Sequence, residues 1–265
     1  MKAITDINEV HEVLLGIAKE FDRICRENGI RYWMLGGTQL GAVRHKGFIP
    51  WDDDMDFGVM QGDFQKLAVL LEKELPSIYR CRTRDNCQTQ YGNTLKIEDT
   101  RTVINLKGST YDENLFMGIN IDVFPLVFTN NHKFMFSKNW CISTLLKIQF
   151  FRFSDYSRAG WLKASVSRFL QITLFWLKLN QITEFVNKYL IANKGDFIVN
   201  YWGRWIMKEI VYKDIMGNPQ EYDFEGCSFF GVEQPHQYLT HLYGDYMSPP
   251  PKDKMNIHLS DVCWK

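Results

Sequence analysis

Asp54 and Asp56 stand one residue apart in the run Trp51-Asp-Asp-Asp-Met-Asp56, and from Asp54 to Val59 acid and apolar residues alternate. That alternation predicts a half-buried strand over 54–59, in which successive side chains face opposite ways. Both carboxylates then share one face, while Met55 and Phe57 enter the core. With about 3.3 Å of rise per residue their backbones lie roughly 7 Å apart, near enough to converge on one divalent ion or to bridge two. Oxygen ligands favour Mg2+ or Mn2+, ions that keep several waters and are completed by substrate phosphates. A site this sparse suits a nucleotide-linked substrate. Asp-x-Asp alone is a weak signal, because solvated acidic loops and helix caps show it too.

Its surroundings sharpen it. Gly36-Gly37 reads as a tight turn and Thr38 as the hydroxyl cap of a helix running to Arg44, which together offer backbone N–H groups and a hydroxyl to a phosphate. The spacing of Gly36, Gly37 and Gly41 is neither a Walker loop nor a dinucleotide fingerprint, and a purely structural turn is the competing reading. Arg44, His45 and Lys46 add positive charge next to it, either for phosphate oxygens or as a solvated basic corner. A third acid, Asp122, lies between β-branched residues in Ile119-Asn-Ile-Asp-Val-Phe-Pro125 and needs a partner there. It either completes a metal cluster and accepts a proton from an attacking hydroxyl, or forms an ion pair with Lys96 or Arg101.

The elements that must position these groups follow from periodicity. Ile7, Val10, Leu14, Ile17, Phe21 and Ile24 predict an amphipathic helix, capped by Asp6 with Glu9 and stopped at Asn28-Gly29. Strands are expected at 30–35, 78–82, 91–97, 102–106 and 119–124. Asp63 caps a helix to about Leu75, ended by Pro76, and a last helix at 237–243 stops at Gly244. The first half is thus mixed α/β.

Charged residues make up 23% of the 265-residue chain and hydrophobic ones 45%, so a globular core is expected and disorder is not. Formal net charge is zero, which argues against a nucleic-acid partner. Six scattered cysteines without a C-x-x-C pair, and an N-terminus without an apolar leader, suggest free thiols in a reducing cytoplasm. From about 131 to 188, nine Lys/Arg face only Asp155 and Glu184, interleaved with Phe and Trp at helical spacing. Basic amphipathic helices of this kind fit either an ordinary helical subdomain or peripheral contact with an anionic membrane.

The segment Leu35-Gly-Gly-Thr-Gln-Leu-Gly-Ala-Val-Arg-His-Lys-Gly-Phe-Ile-Pro-Trp-Asp-Asp-Asp-Met-Asp56 resembles the signature of the LicD/fukutin-type phosphotransferase family. Ile121-Asp-Val-Phe-Pro-Leu126 and Tyr243-Gly-Asp-Tyr-Met-Ser-Pro-Pro-Pro251 resemble later family motifs in the same order. The likeness covers about 10–126 and 228–258. It implies a nucleotidyltransferase-like mixed-sheet core over 1–130, a helical basic insert over 131–200, and a segment over 201–265 that packs back and closes the active site. It also implies metal at Asp54, Asp56 and Asp122, with Asp52 and Asp53 in supporting roles. The implied reaction moves phosphocholine or a related group from a CDP-alcohol to a cell-surface glycan or its lipid-linked precursor, such as lipopolysaccharide, teichoic acid or capsule. Gly36, Gly37, Thr38, Arg44, His45 and Lys96 would hold donor phosphates, Lys254 and His258 would close over the nucleotide, and Tyr91, Trp202 and Tyr243 are candidates to cage a quaternary ammonium head group by cation-π contact. Two rivals remain: nucleotidyl transfer from a nucleoside triphosphate with pyrophosphate release, and an inactive glycan-binding scaffold.

Overall fold

A computed structural model of the chain describes residues 2–83, 86, 94–104, 118–130, 165, 169, 194–200, 202–203, 208–251 and 262–265. The first helix, α1 (Ile7–Glu27), buries the stripe that its sequence period marks out. Leu14, Ile17, Phe21 and Ile24 are fully buried. Each such side chain contributes about 1.5–3 kcal/mol relative to exposure. Asp6 caps it by accepting the Asn8 N–H at 2.9 Å, and the chain leaves through Gly29 at a φ of 65°.

α1 packs on a mixed sheet built around β3 (Asp56–Met60) and the long β7 (Asn120–Thr129), which run parallel. β2 (Tyr32–Met34) flanks β3, while β5 (Leu95–Asp99) and β4 (Tyr79–Arg82) extend from β7, all antiparallel to their neighbours. The second half of β7 pairs with β8 (Phe197–Asn200), and β8 with β9 (Ile210–Tyr212). A separate sheet joins the two ends of the chain, with β12 (Val262–Trp264) lying between β1 (Lys2–Ile4) and β6 (Thr102–Ile104). β10 (Gln220–Phe224) and β11 (Cys227–Gly231) form a hairpin.

The strand period of two divides the main sheet into two faces. Phe57, Val59, Ile121, Val123 and Ile97 are fully buried in one apolar cluster with α1 and α3 (Gln61–Glu74). Phe21 meets Tyr32 and Phe57 there at ring separations of 4.9 and 4.8 Å. The opposite face carries Asp56, Asp122 and Lys96. A second cluster on that side gathers Leu126, Ile198 and Val211 with Leu239 and Leu242 of α5 (Pro235–Tyr243), which follows the short α4 (Lys213–Met216).

Four local expectations change. α2 is Gly36–His45, so the glycine pair is its first turn and Leu35 precedes it; no hydroxyl caps it. β3 begins at Asp56 because the backbone first finds ladder partners at the Met55 and Asp56 carbonyls: Asp122 N–H donates to that of Met55 and Leu35 N–H to that of Asp56. Asp54 therefore lies in the loop before the strand. Asp63 sits inside the first turn of α3, where its charge still suits the helix dipole, and Met60 takes the cap position. β7 continues past Pro125 because one edge changes partner there, from β5 up to Val123 to β8 from Leu126, so the missing N–H removes no bond on that edge. The basic helices expected over 131–188 fall outside the described residues, save for Ser165 and Phe169.

Candidate active site

The parallel register of β3 and β7 sets Asp56 directly beside Asp122, and the antiparallel register of β5 sets Lys96 beside Asp122 on its other flank. With neighbouring strands about 4.8 Å apart, the three side chains form one row across the sheet. Lys96 and Asp122 form an ion pair. Both readings of Asp122 thus meet in one geometry: it has its lysine, and it also stands next to Asp56.

The row opens into a cavity of about 1110 Å³. Gly36, Gly37, Arg44, Asp52, Asp54, Asp56, Lys96 and Asp122 all line it, although they come from three strands, one helix and the loop between. The space is generous for a nucleotide carrying an extra head group. α2 points its N-terminal turn at these acids. Gly36 adopts a φ of 50°, and a side chain at Gly37 would lie 2.6 Å from Asp52 Oδ2, so the glycine pair lets the acidic loop close against the helix.

Thr38 is buried behind this turn, where its hydroxyl accepts the Asp56 N–H at 2.8 Å. Its role in the structure is to brace the acid. On the loop, Asp52, Asp53 and Asp54 bring carboxylate oxygens within 4.8 Å of one another. His11 of α1 anchors the loop, stacking on Phe48 with ring centres 4.0 Å apart and reaching the Asp52 carbonyl at 2.7 Å through Nε2.

Crowding of like charge shows in the acidities. Burial, and then the charges of Asp54, Asp122, Glu209 and Asp52, push the Asp56 carboxyl well above the usual range. Burial, followed by Asp54 and Asp53, pushes Asp52 up to about 7. These groups want a cation. An all-oxygen set at strand and loop ends, lacking thiol or imidazole, fits Mg2+ or Mn2+.

Arg44 lines the cavity and donates to the Tyr246 carbonyl at 2.8 Å. His45 accepts from Arg44 Nε at 2.8 Å, and burial together with that guanidinium lowers its pKa. In this geometry His45 is an acceptor for the Arg44 guanidinium. Lys254, His258 and Tyr91 lie outside the described residues. Trp202 and Tyr243 both line the cavity.

Sequence reasoning missed Glu209 and Asp245, two further acids of the lining, as well as Tyr238, whose hydroxyl accepts the Gly36 N–H at 3.1 Å. Glu209 carries no local signal. It reaches the cavity only because β9 folds back on β8. Asp245 lies within the Tyr243–Pro251 motif and was open to suspicion there.

A mixed sheet with acids on adjacent parallel strands, facing a glycine-opened helix N-terminus, is the layout of a nucleotidyltransferase-like core. Residues 29–154 match the family described as LicD/FKTN/FKRP, nucleotidyltransferase domain. The chain is 30% identical to the lipopolysaccharide cholinephosphotransferase LicD of Haemophilus influenzae, over 97% of both chains. It is 44% identical to the ribitol 5-phosphate transferase FKRP of Homo sapiens over 50 residues, 19% of this chain and 10% of that one. A solved structure, terminal uridylyl transferase 4 from Trypanosoma brucei with bound GTP, aligns at 12% identity over 51% of this chain and 39% of that one. Its TM-score of 0.25 is too low to add to the argument. The chain belongs to the LicD family of transferases.

Proposed function

We propose that this protein transfers a phospho-alcohol head group, phosphocholine foremost, from a CDP-activated donor to a hydroxyl of a cell-surface glycan or its lipid-linked precursor, releasing CMP. The observation that carries the reading is the in-register pair Asp56 and Asp122 opening, beside Asp54 and the first turn of α2, into one cavity. The full-length similarity to a lipopolysaccharide cholinephosphotransferase supports choline as the first head group to test. Mg2+ or Mn2+ held by Asp54, Asp56 and Asp122, with Asp52 in reach, would neutralise charge on the phosphate oxygens.

The chain's own groups do the rest. N–H groups at the first turn of α2 offer donors to the donor phosphates, and Arg44 adds a guanidinium at the same rim. Lys96 holds Asp122 in place through their ion pair. The acceptor hydroxyl attacks the phosphorus that bears the head group, in line with the departing CMP oxygen. A new ester O–P bond forms as the O–P bond to CMP breaks, and Asp122 or Asp56 takes the hydroxyl proton. In this reading 1–130 supplies the carboxylates and 201–265 closes the cavity. The basic stretch 131–188 would meet the membrane surface where a lipid-linked acceptor resides. Among the described residues no helix is long and apolar enough to cross a membrane.

The test is release of CMP from CDP-choline by purified protein with Mg2+ or Mn2+ and an acceptor glycan. Asp56→Asn is expected to lower the rate at least ~1000-fold, the scale of losing a main electrostatic element of a transfer site. Pyrophosphate release from CTP with no CMP from any CDP-alcohol would favour nucleotidyl transfer. Head-group binding without turnover, unchanged in Asp56→Asn, would favour the inactive scaffold.

A further inference from the structure

The hairpin of β10 and β11 turns through Glu225 and Gly226, at φ values of 50° and 70°. A two-residue turn with both φ positive takes asparagine or glycine first with least strain, because a longer side chain crowds the left-handed region. Glutamate stands there instead. Among the described residues the other non-glycine at positive φ is Lys46, at 56°, which ends α2. The two strained residues meet: the Glu225 N–H donates to the Lys46 carbonyl at 2.9 Å.

The Glu225 side chain reaches further than its backbone. Though the residue is exposed, its carboxylate turns back and accepts the Phe48 N–H at 3.1 Å. Gly47 makes room for it, since a side chain there would lie 2.0 Å from Glu225 Oε1. Phe224, the residue before, sets its ring edge-on against Phe48 with centres 4.9 Å apart. From Phe48 two routes lead to the acids. Its ring stacks on His11, whose Nε2 reaches the Asp52 carbonyl at 2.7 Å. Along the chain, the neighbouring Ile49 carbonyl accepts the Asp52 N–H at 2.9 Å. Asp52 is thus held at both backbone groups by a frame whose outer end is the hairpin turn.

We infer that Glu225 is a positioning residue for the acidic loop: it fixes Phe48, and through Phe48 the approach of Asp52 and Asp54 to Asp56. Strain kept at a turn that glycine would relieve marks a side chain needed for its contact. This rests on the metal reading of these acids proposed above, and it adds a residue 177 positions from Phe48 in the chain.

The experiment compares the full native chain with Glu225→Gly and Glu225→Gln by thermal unfolding, by amide hydrogen exchange over 47–55 in chelator, and by calorimetric binding of Mg2+ alone. In Glu225→Gly the relieved strain offsets the lost bond, so Tm should hold near the native value. Exchange over 47–55 should nevertheless quicken, and Mg2+ should bind about tenfold more weakly, the scale of losing a support behind a metal ligand. Glu225→Gln keeps an oxygen acceptor of the same reach and should restore both. Glu225→Asn suits the turn but is one carbon short of Phe48, so it should behave as Glu225→Gly and repeats the test should that variant fail to fold. Native Mg2+ affinity in Glu225→Gly would overturn the positioning role. So would a fall in Tm that runs in step with the lost affinity and is not rescued by Glu225→Gln. A native chain that binds no Mg2+ overturns the metal set instead, and exchange then decides the role of Glu225: native rates in Glu225→Gly overturn it, and faster rates restored by Glu225→Gln uphold it.

Discussion

Replacing Asp52 by Asn in metal-stripped protein should raise stability at pH 8 and leave it nearly unchanged at pH 4. In the unfolded chain Asp52 titrates near its ordinary 3.8, whereas in the fold burial and the charges of Asp54 and Asp53 push it up to about 7. Between those values the folded state binds the extra proton, so stability falls as pH rises. The contribution is fully present below 3.8 and is lost as pH passes about 7. At about 1.4 kcal/mol per pH unit the gap corresponds to roughly 4 kcal/mol as a ceiling. Asp52 shares its charging with Asp54 and its neighbours, so about half of that, ~2 kcal/mol, is expected from one substitution. For a chain of this size that is roughly 4 °C in Tm. The assay is thermal unfolding in chelator at pH 4, 6 and 8 for the native chain and Asp52→Asn, repeated with Mg2+. The native Tm should drop across this range and recover with Mg2+ at pH 8; the variant should show a flatter profile and a smaller recovery. Identical pH profiles for the two proteins would show that Asp52 is not held in a charge-crowded, desolvated loop.

Other expectations follow from neighbouring contacts. Gly37→Ala would push the Asp52 carboxylate away, since the added carbon lies 2.6 Å from its Oδ2, and should lower CMP release about tenfold while changing stability by less than ~1 kcal/mol. Gly62→Ala, with nothing within 4 Å, is the matched control for helix propensity. Thr38→Val keeps the shape but strips the acceptor from the Asp56 N–H, and should destabilise by about 1–2 kcal/mol in denaturant unfolding. His11→Leu should preserve the contact with Phe48 yet free the loop carbonyl of Asp52, and should weaken Mg2+ binding more than stability, as calorimetry with the metal alone would show.

Local pattern carried far in this chain, and stopped where partners are distant. The three- and four-residue steps of α1 gave its buried stripe and both ends, because a helix closes its bonds within itself. Asp122 stood out as an acid between β-branched residues. Alternation placed Asp54 and Asp56 on one strand, however, and alternation is blind to ladder partners; β2 and β7 pair with the chain only after Asp54, from the Met55 carbonyl onward. The Gly36-Gly37 pair looked like a turn for the same reason. What starts α2 there is an apolar residue, Leu35, held to Asp56 across the sheet, and no capping side chain announces it. Glu209 and Trp202 became part of the site through the β8–β9 return, a pairing with no local trace.

The charges tell the same story from the side of energy. A fold selected for stability alone would not seat Asp56 beside Asp122, brace it with Thr38, and then bring Asp52, Asp54 and Glu209 near enough to raise its pKa. Lys96 offsets one of these carboxylates, and Arg44 is turned partly to the Tyr246 carbonyl. Desolvated like charges work against the folded state unless a cation shares their face. A divalent ion at the strand ends would answer that demand.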